Sequence, residues 1–543
     1  MAYFSLHAYD ADVWLQQFLG LNQSEESRNQ DIRYSPEAVN VETPRGVLQP
    51  HADFAFLGGE PDDFEDTKIE TIARFYRRWY DGPGSKCWLL CAAGGKLYYK
   101  QEHSGVPWMP IDLPTGVTAF DCSVWSWVTY EENVEGVDHP VDILVMSNAE
   151  DGMIVVTPPD RPKTWGDIKE QTWEVVKTQK WSEVMSPDWS IRRVGSTEGL
   201  NYKFGVIERY AERIWGGAIT DDPDMLVYSR PYDPLDWTIA SSSEEPEDGA
   251  GSIQQPSWDG DKFTSLKSFG DQLIAFKEHR VWRIMGTDPG EYTFKEQYGG
   301  GGEYPNTISV DAERILLAEK DGLSSFDGMS VTPLKRPMIE KLWRTVNKNA
   351  MDQMCSCLFK NRYYLSVPVG ESTVNNALII FNLEEGTFLY YDDMNIESMV
   401  TTDEEIYATS STIPGKVLLL NYDSWLQGKA MGSVARWVSP WMDFGYKTIQ
   451  KGGFDLYFSP EVQEEEVTLS ISIQTEKKTK TKQYTVKPLT EAERNANKEY
   501  RYKKLHFGGT GRKFRVIIET PEGVTAPWRI VGGLHLVVET DPD

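Results

Sequence analysis

Short segments of alternating or β-branched character, separated by two-residue turns, recur along this chain. Thr264–Phe269, Gln272–Lys277 and Arg280–Met285 form one such group, and Gly270-Asp271 separates the first two. Segments of this kind are typical of strands. Gly, Asn and Asp tolerate the positive φ that two-residue hairpin turns require. Because the gaps are too short for a parallel crossover, the pattern predicts an antiparallel meander.

The same pattern recurs on both sides of this group. It predicts hairpins at Cys87–Ala92 with Lys96–Tyr99, Val141–Ser147 with Met153–Thr157, Phe204–Tyr210 with Arg213–Ala218 and Met225–Ser229, Cys355–Phe359 with Arg362–Val367, Ala377–Phe381 with Thr387–Tyr391, and Met399–Thr402 with Ile406–Thr409 and Val417–Asn421. A spacing of roughly 40–60 residues is close to that of a four-stranded propeller blade. We therefore predict an all-β fold whose main part, residues 31–430, is a six- or seven-bladed β-propeller.

The two ends of the chain and one internal segment differ from this pattern. Residues 1–30 are predicted to be an N-terminal arm, and Pro337–Ala350 has the apolar spacing of a helix. After Trp425 the pattern changes to longer strands, predicted at Gly453–Ser459, Val467–Gln474, Gln483–Lys487, Phe514–Thr520 and Leu534–Glu539. These predict a C-terminal β-sandwich over residues 431–543.

The charge of the chain is unevenly distributed. The 543 residues include 55 Lys and Arg against 83 Asp and Glu, for a formal net charge of −28. Residues 431–543 hold 17 basic and 15 acidic residues, which leaves 38 and 68 for residues 1–430, a net charge of −30 there. Such an acidic surplus argues against a nucleic-acid reader in the first part, because phosphate binding requires Lys and Arg. It permits a wall that DNA passes without adhering.

One basic run stands out in the near-neutral C-terminal part. Lys477, Lys478, Lys480 and Lys482 lie between two predicted strands and are interleaved with Thr. The run suits the tip of a long exposed hairpin. A solvated tip and a docking site for an acidic neighbour are both open.

Motifs for catalysis or cofactor binding are weak. The seven histidines form no HxxxH or HExxH set, there is no GxSxG motif, and the five cysteines include no CxxC. Asp221-Asp222-Pro223-Asp224 lacks the spacing of a calcium loop. Gly299–Gly302 precedes Glu303-Tyr304-Pro305 and lacks a lysine, so a packed turn is favoured over a phosphate cradle. We expect no enzyme activity, no cofactor and no metal site.

Several pieces of the central region resemble the β-propeller nozzle or hub proteins of short-tailed bacteriophages, including the packaged-DNA stabilisation proteins. The similar pieces are Arg213-Ile214-Trp215, Met225–Ser229 leading to Asp233–Trp237, Ile274–Lys277 with Val281-Trp282-Arg283, Gly302 through Ile308-Ser309, and Leu316–Glu319 with Asp321-Gly322 and Phe326-Asp327-Gly328. The spacing of Trp437, Trp441 and Gly445 also looks phage-like. Many nozzle proteins are longer, so a hub or another virion-attached propeller fits as well.

The resemblance implies a non-enzymatic virion protein. It would be made in the host cytoplasm and assembled into the tail as a ring, with a hexamer expected. Its partners would be further copies of itself and adjacent tail or portal-adaptor proteins, and DNA would pass through the lumen without sequence-specific binding. No membrane association is expected, since no run of 18 apolar residues occurs. The alternative is a glycan-binding or glycan-hydrolysing propeller on the virion.

Overall fold

The computed structural model describes the chain except for residues 1–8, 25–29, 60–63, 65–66, 79–84, 134–138, 160–188, 240–247, 256–259, 298, 421–422, 446, 449, 491–501 and 541–543. Strands account for 51% of the residues and helices for 6%, so the fold is mostly β. The predicted insertion at Pro158–Ser190 lies largely outside the described residues, as does much of the acidic loop Ser241–Gly251.

The N-terminal segment carries five short strands. They are β1 Tyr9–Leu15, β2 Glu37–Val39, β3 Val41–Glu42, β4 Gln49–Pro50 and β5 Ala55–Phe56. A 3₁₀ turn at Pro44–Gly46 lies between β3 and β4, which pair with each other.

Seven four-stranded antiparallel sheets follow one another in the described part of the chain. In chain order their strands are β6 Ile69–Tyr76, β7 Cys87–Ala93, β8 Lys96–Gln101 and β9 Met109–Pro110; β10 Ser126–Glu132, β11 Val141–Asn148, β12 Gly152–Thr157 and β13 Ser190–Val194; β14 Val206–Tyr210, β15 Arg213–Gly217, β16 Met225–Tyr228 and β17 Gly251–Gln254; β18 Phe263–Phe269, β19 Gln272–Lys277, β20 Val281–Met285 and β21 Thr293–Gln297; β22 Ser309–Val310, β23 Ile315–Glu319, β24 Gly322–Phe326 and β25 Val331–Pro333; β26 Cys355–Phe359, β27 Arg362–Val367, β28 Ala377–Asn382 and β29 Thr387–Tyr391; and β30 Ser398–Thr401, β31 Ile406–Thr409 and β32 Val417–Leu420, completed by β5.

Neighbouring sheets pack face to face through shared apolar clusters. Leu90 of the first sheet and Ile154 of the second belong to one buried cluster, and comparable clusters join each later pair. Tyr407 of the seventh sheet is buried with Leu89 of the first, which brings the last sheet back to the first. The arrangement is propeller-like, because each sheet buries both faces against its neighbours.

The tight turns follow the residue types that the sequence supplies. Lys360 and Asn361 have φ of 47° and 59° between β26 and β27, and Gly270 has φ of 62° between β18 and β19. Positive φ at these positions matches the hairpin twist, so the turn chemistry fixes the register of the strands.

The C-terminal strands form two further sheets. These strands are β33 Arg436–Val438, β34 Lys451–Val462, β35 Val467–Thr475, β36 Thr479–Val486, β37 Lys503–Gly511, β38 Phe514–Glu519 and β39 Trp528–Thr540. One sheet has the order β1-β39-β34-β37 and the other β2-β33-β38-β35-β36. Phe458 of one sheet and Ile471 of the other are buried in the same apolar cluster, which extends to the fifth and sixth sheets.

The N-terminal segment takes part in both regions. Strand β1 pairs with β39, β2 pairs with β33, and β5 pairs with β32 of the seventh sheet. Residues 9–15, which fall in the predicted arm, are therefore an edge strand of the C-terminal part. Phe18 is buried against Trp437, with ring centroids 5.0 Å apart.

The predicted helix at Pro337–Ala350 is wrong in length. Only α1, Glu340–Trp343, is α-helical, with a 3₁₀ turn at Arg336–Met338 before it and another at Met351–Gln353. The backbone N–H of Asn347 donates to the carbonyl of Pro368 at 2.9 Å, so contact with the sixth sheet ends the helix early. A second short helix, α2, spans Ser424–Gln427, and further 3₁₀ turns lie at Ser196–Glu198 and Pro305–Thr307.

Candidate docking edge of the C-terminal sheets

The predicted lysine hairpin is an ordered turn at the edge of the five-stranded sheet. The backbone N–H of Lys478 donates to Thr475 Oγ1 at 3.1 Å, and the backbone N–H of Thr475 donates to the Lys478 carbonyl at 2.8 Å. Farther from the turn, the hydroxyls of Ser472 and Thr481 hydrogen-bond at 2.7 Å across the two strands. The turn and its flanking strands therefore hold the lysine side chains on a fixed backbone.

The sequence placed all four lysines in the turn, and the structure corrects this for two of them. Lys477 and Lys478 lie in the turn, whereas Lys480 and Lys482 belong to β36. Lys480 pairs with Ile473 and Lys482 with Ile471, both of which point into the core. Alternating Thr and Lys extend the strand because Thr favours extended backbone.

Lys480 and Lys482 therefore lie on the face of the five-stranded sheet that is turned towards the four-stranded sheet, but on its edge strand. Both remain exposed, and the ammonium of Lys482 lies 5.6 Å from the centre of the Phe507 ring on the opposite sheet. Inward-pointing charge on an edge strand opposes unwanted strand pairing. The same charge leaves the edge able to bind a partner that brings carboxylates.

The facing edge strand adds more positive charge. Strand β37 is the outer strand of the four-stranded sheet and begins with Lys503 and Lys504. We call the four hairpin lysines together with Lys503 the basic edge. Lys504 points to the other face of its sheet, where it pairs with Asp455 at 2.8 Å. Sequence reasoning missed Lys503, although the run Arg501–Lys504 was a visible signal.

Two cavities bear on the glycan alternative. One, of about 580 Å³, is lined by Trp425, Tyr484, Arg529 and Glu461 among others. Arg529 lies 4.0 Å from the Trp425 ring centre and pairs with Glu461 at 2.7 Å, so the carboxylate that lies near the tryptophan is already neutralised.

The other cavity, of about 240 Å³, lies between the fourth and fifth sheets. Its lining includes four acidic residues but no tryptophan among the described ones; the acidic residues are Glu278, Glu303, Glu319 and Asp321. Arg336 pairs with Glu319 and also donates to Ser324 at 2.7 Å. A glycosidase would be favoured by two carboxylates and a tryptophan lining one cavity. Among the described residues, neither of these two cavities has that combination.

The two weak ligand motifs have structural partners. Asp224 forms an ion pair of 2.7 Å with Lys277, whose side chain is fully buried. In the glycine run, Gly299 and Gly300 have φ of 81° and 59°, and a Cβ on Gly302 would lie 2.6 Å from the Cβ of Phe276. The run is a packed turn against the fourth sheet, which is the interpretation that the sequence favoured.

The cysteines are single thiols. Cys87, Cys91, Cys355 and Cys357 are buried, Cys122 is half-buried, and all five are free. Burial raises the pKa of the Cys87 thiol to about 12, with the Glu102 carboxylate adding to the effect. A thiol held in this state is a poor nucleophile.

Within the described residues, no helix is both long and apolar enough to cross a bilayer.

Comparisons with known proteins give distant similarities to solved structures. No family model matches the chain, and no curated protein matches it. Among solved structures it is similar to PorZ, described as a bacterial surface component of the type-IX secretion system of Porphyromonas gingivalis, with a TM-score of 0.35, 11% identity, and coverage of 65% of this chain and 37% of that chain. It is also similar to the WD40 domain of Neurospora crassa Pan2, with a TM-score of 0.32, 10% identity, and coverage of 67% and 98%. The chain thus spans little more than a third of PorZ, and neither likeness bears on function.

Proposed function

We propose that this chain is a structural protein of a bacteriophage tail, a nozzle or hub subunit that assembles into a ring around the DNA exit channel. The seven sheets would be the blades of a seven-bladed β-propeller, followed by a β-sandwich. The observation that carries the proposal is the ordered basic edge on a chain whose first 430 residues are strongly acidic. Copies of such a chain can pair opposite charges between neighbours.

The way in which the chain ends are tied into the fold supports a durable role. Strands β1 and β2 are bound into the sandwich and β5 into the seventh sheet, so one segment of about 50 residues links both regions. A closed succession of sheets leaves few free strand edges. A subunit whose N-terminal segment is hydrogen-bonded into both regions suits a ring that holds packaged DNA.

The acidic surplus supports passage of DNA more than its retention. Each phosphate contact made by Lys or Arg releases counterions and strengthens binding. A lumen formed by the acidic region would make few such contacts. The basic edge would then face a neighbouring subunit or an adjacent tail or portal-adaptor protein.

The proposal is tested by measuring the mass of the full chain in solution by native mass spectrometry, with imaging of the same sample. We expect a ring of defined order, six subunits by the resemblance, and the chain in purified phage particles in matching stoichiometry. A strict monomer at all concentrations, or absence from the particles, would overturn it.

The role of the basic edge is tested by Lys480→Glu combined with Lys482→Glu. We expect the ring to dissociate at least about tenfold more readily, because opposite charges at the contact become like charges. The control is Lys96→Glu combined with Lys341→Glu, which changes the net charge by the same amount. Both lysines are exposed; Lys96 lies in the first sheet and Lys341 in helix α1, between the fifth and sixth sheets. Equal effects of the two double variants would show that the basic edge is not the contact.

A further inference from the structure

The outer face of the four-stranded sandwich sheet carries a row of rings that the proposed function leaves unused. Trp14 on β1 pairs with His535 on β39, and His535 pairs with Tyr457 on β34. The Trp14 and Tyr457 ring centroids each lie 5.7 Å from that of His535, with interplanar angles of 32° and 30°. We call these three residues the aromatic row. Lys504 continues it on β37, with its ammonium 5.5 Å from the Tyr457 ring centre.

A second row of polar side chains lies beside the aromatic row. Asp12 and Asp455 both pair in register with Val537, and Asp455 pairs with His506. Residues two apart on a strand share a face, so this polar row faces the same way as the rings. His535 Nε2 lies 3.1 Å from the Asp12 carboxylate, and His506 Nδ1 lies 2.8 Å from the Asp455 carboxylate; in each pair the carboxylate oxygen is the acceptor.

This face is open to solvent over the described chain. The Trp14 residue is 55% exposed, and the side chains of Asp12 and His506 are 67% and 61% exposed. The opposite face of the same sheet supplies Leu456 and Leu536 to the core. Packing in the core therefore does not explain the rings on the outer face, where Trp14 is exposed and Tyr457 and His535 are half-buried. Apolar groups that stay on an open face in this way can mark a binding surface.

We infer that the aromatic row and the polar row beside it form a binding surface for a neutral, extended polysaccharide. Trp14 and Tyr457 are two strands apart, about 10 Å at the usual strand spacing. This is close to the length of two sugar rings in an extended chain. Alternate sugars would then place their C–H faces against the Trp14 and Tyr457 rings.

The polar row supplies what sugar hydroxyls require. Carboxylates accept hydrogen bonds, and an imidazole both donates and accepts. Although partial burial pushes the pKa of Asp455 upward, hydrogen bonds from Lys504 and His506 hold it below its ordinary value, so this acceptor stays ionised at neutral pH. Hydrogen-bonding groups beside apolar ring faces match the hydroxyls and the C–H faces of a sugar.

The charge of the face favours a neutral occupant over nucleic acid. Among the described residues of this face, Asp12, Asp455 and Glu539 stand against one lysine, Lys504. A phosphate backbone would meet net negative charge and would release few counterions. An apolar protein partner would have to bury the carboxylates without replacing their hydrogen bonds, which is costly.

The experiment is calorimetric titration of the full chain with cellopentaose and chitopentaose, which are extended, and with maltopentaose, which is curved. We expect at least one extended sugar to bind and maltopentaose to bind at least about tenfold more weakly. Binding of none at millimolar concentration, or equal binding of curved and extended sugars, would overturn the inference. A duplex DNA 20-mer is titrated in parallel, and salt-sensitive DNA binding without sugar binding would also overturn it.

Substitutions in the aromatic row test whether the sugar binds there. Trp14→Ala and Tyr457→Ala should each weaken sugar binding by at least about tenfold, as loss of an aromatic anchor does. Trp14→Tyr keeps a ring and should retain binding within about threefold, which guards against a simple loss of β1. Tyr232→Ala removes a ring that is 72% exposed elsewhere and should change nothing. Unchanged binding in both alanine variants would show that the sugar binds elsewhere. The result is independent of whether the chain forms a ring.

Discussion

Glu42 is a buried carboxyl whose pKa is raised to near neutrality. It is 2% exposed, and Gln49 and Tyr391 approach its carboxyl oxygens at 3.3 Å. Burial raises its pKa from 4.5 to about 7, although His51, Gln49 and Arg362 pull it down; Asp423 adds to the rise. His51 stacks on Tyr391 and lies 3.1 Å from Asp393. This network joins the N-terminal segment to the sixth sheet.

Glu42→Gln is expected to change the pH dependence of stability. The folded chain holds the Glu42 proton more tightly than the unfolded chain does, so that contribution is fully present below about pH 4.5 and is lost as the pH rises through about 7. Relative to the native chain, the variant should gain about 3 kcal/mol in free energy of unfolding between pH 4.5 and pH 8. Urea unfolding of both proteins at a series of pH values checks this. A difference that does not vary with pH would contradict it.

Gly301→Ala is expected to destabilise the fold. A Cβ at this position would overlap the carbonyl oxygen of Glu278, which is backbone and cannot rotate away. Overpacking of this kind costs about 1–3 kcal/mol, sometimes more. The control is Gly105→Ala, where an added Cβ meets nothing within 4 Å. Thermal unfolding of the two variants should differ clearly, and equal melting temperatures would show that the turn can relax.

At the scale of elements, β1 is the strand whose removal has the clearest expected effect. Leu15 is buried in the apolar cluster of the C-terminal sheets, and all seven residues of β1 pair with β39. Deletion of residues 1–15 removes a buried leucine, worth about 1.5–3 kcal/mol, and exposes β39 as a new edge. We expect faster proteolysis of the C-terminal sheets and more aggregation. Deletion of residues 1–8 leaves β1 in place and is the control; equal behaviour of the two deletions would contradict the role of β1.

Local elements were predictable from the sequence, and long-range ones were not. Cys355–Phe359 with Arg362–Val367 was predicted with the bounds that the structure has, because the turn at Lys360-Asn361 and the alternation lie within a few residues. The pairing of Tyr9–Leu15 with the last strand joins segments about 500 residues apart, and no local pattern encodes that contact.

The candidate sites show the same division. The lysine hairpin was readable as a basic run, but its two inward-facing positions depend on the register with Ile471 and Ile473. The aromatic row could not be predicted, because Trp14, Tyr457 and His535 are neighbours only after three distant strands pair.

A short helix at Glu340–Trp343 stands where helical spacing predicted a longer one, since the sixth sheet binds the chain beyond it.

At the scale of the whole molecule, charge has two opposing effects on assembly. The formal net charge of −28 makes copies repel one another, whereas the basic edge attracts the acidic region of a neighbour. Added salt screens both effects, so the salt dependence of the native chain alone does not separate them. The difference between the native chain and the Lys480→Glu, Lys482→Glu variant isolates the attraction, because both share nearly the same repulsion.

We therefore expect that difference to shrink with ionic strength. Raising salt from about 0.1 M to about 1 M shortens the screening length from about 10 Å to about 3 Å. The tenfold or greater gap in dissociation constant expected at low salt should fall to about threefold or less at high salt, as measured by analytical ultracentrifugation. The Lys96→Glu, Lys341→Glu variant should follow the native chain at both salt concentrations. A gap that persists unchanged at high salt would mean that Lys480 and Lys482 act through packed contacts, and the pairing of a basic edge with an acidic neighbour would be wrong.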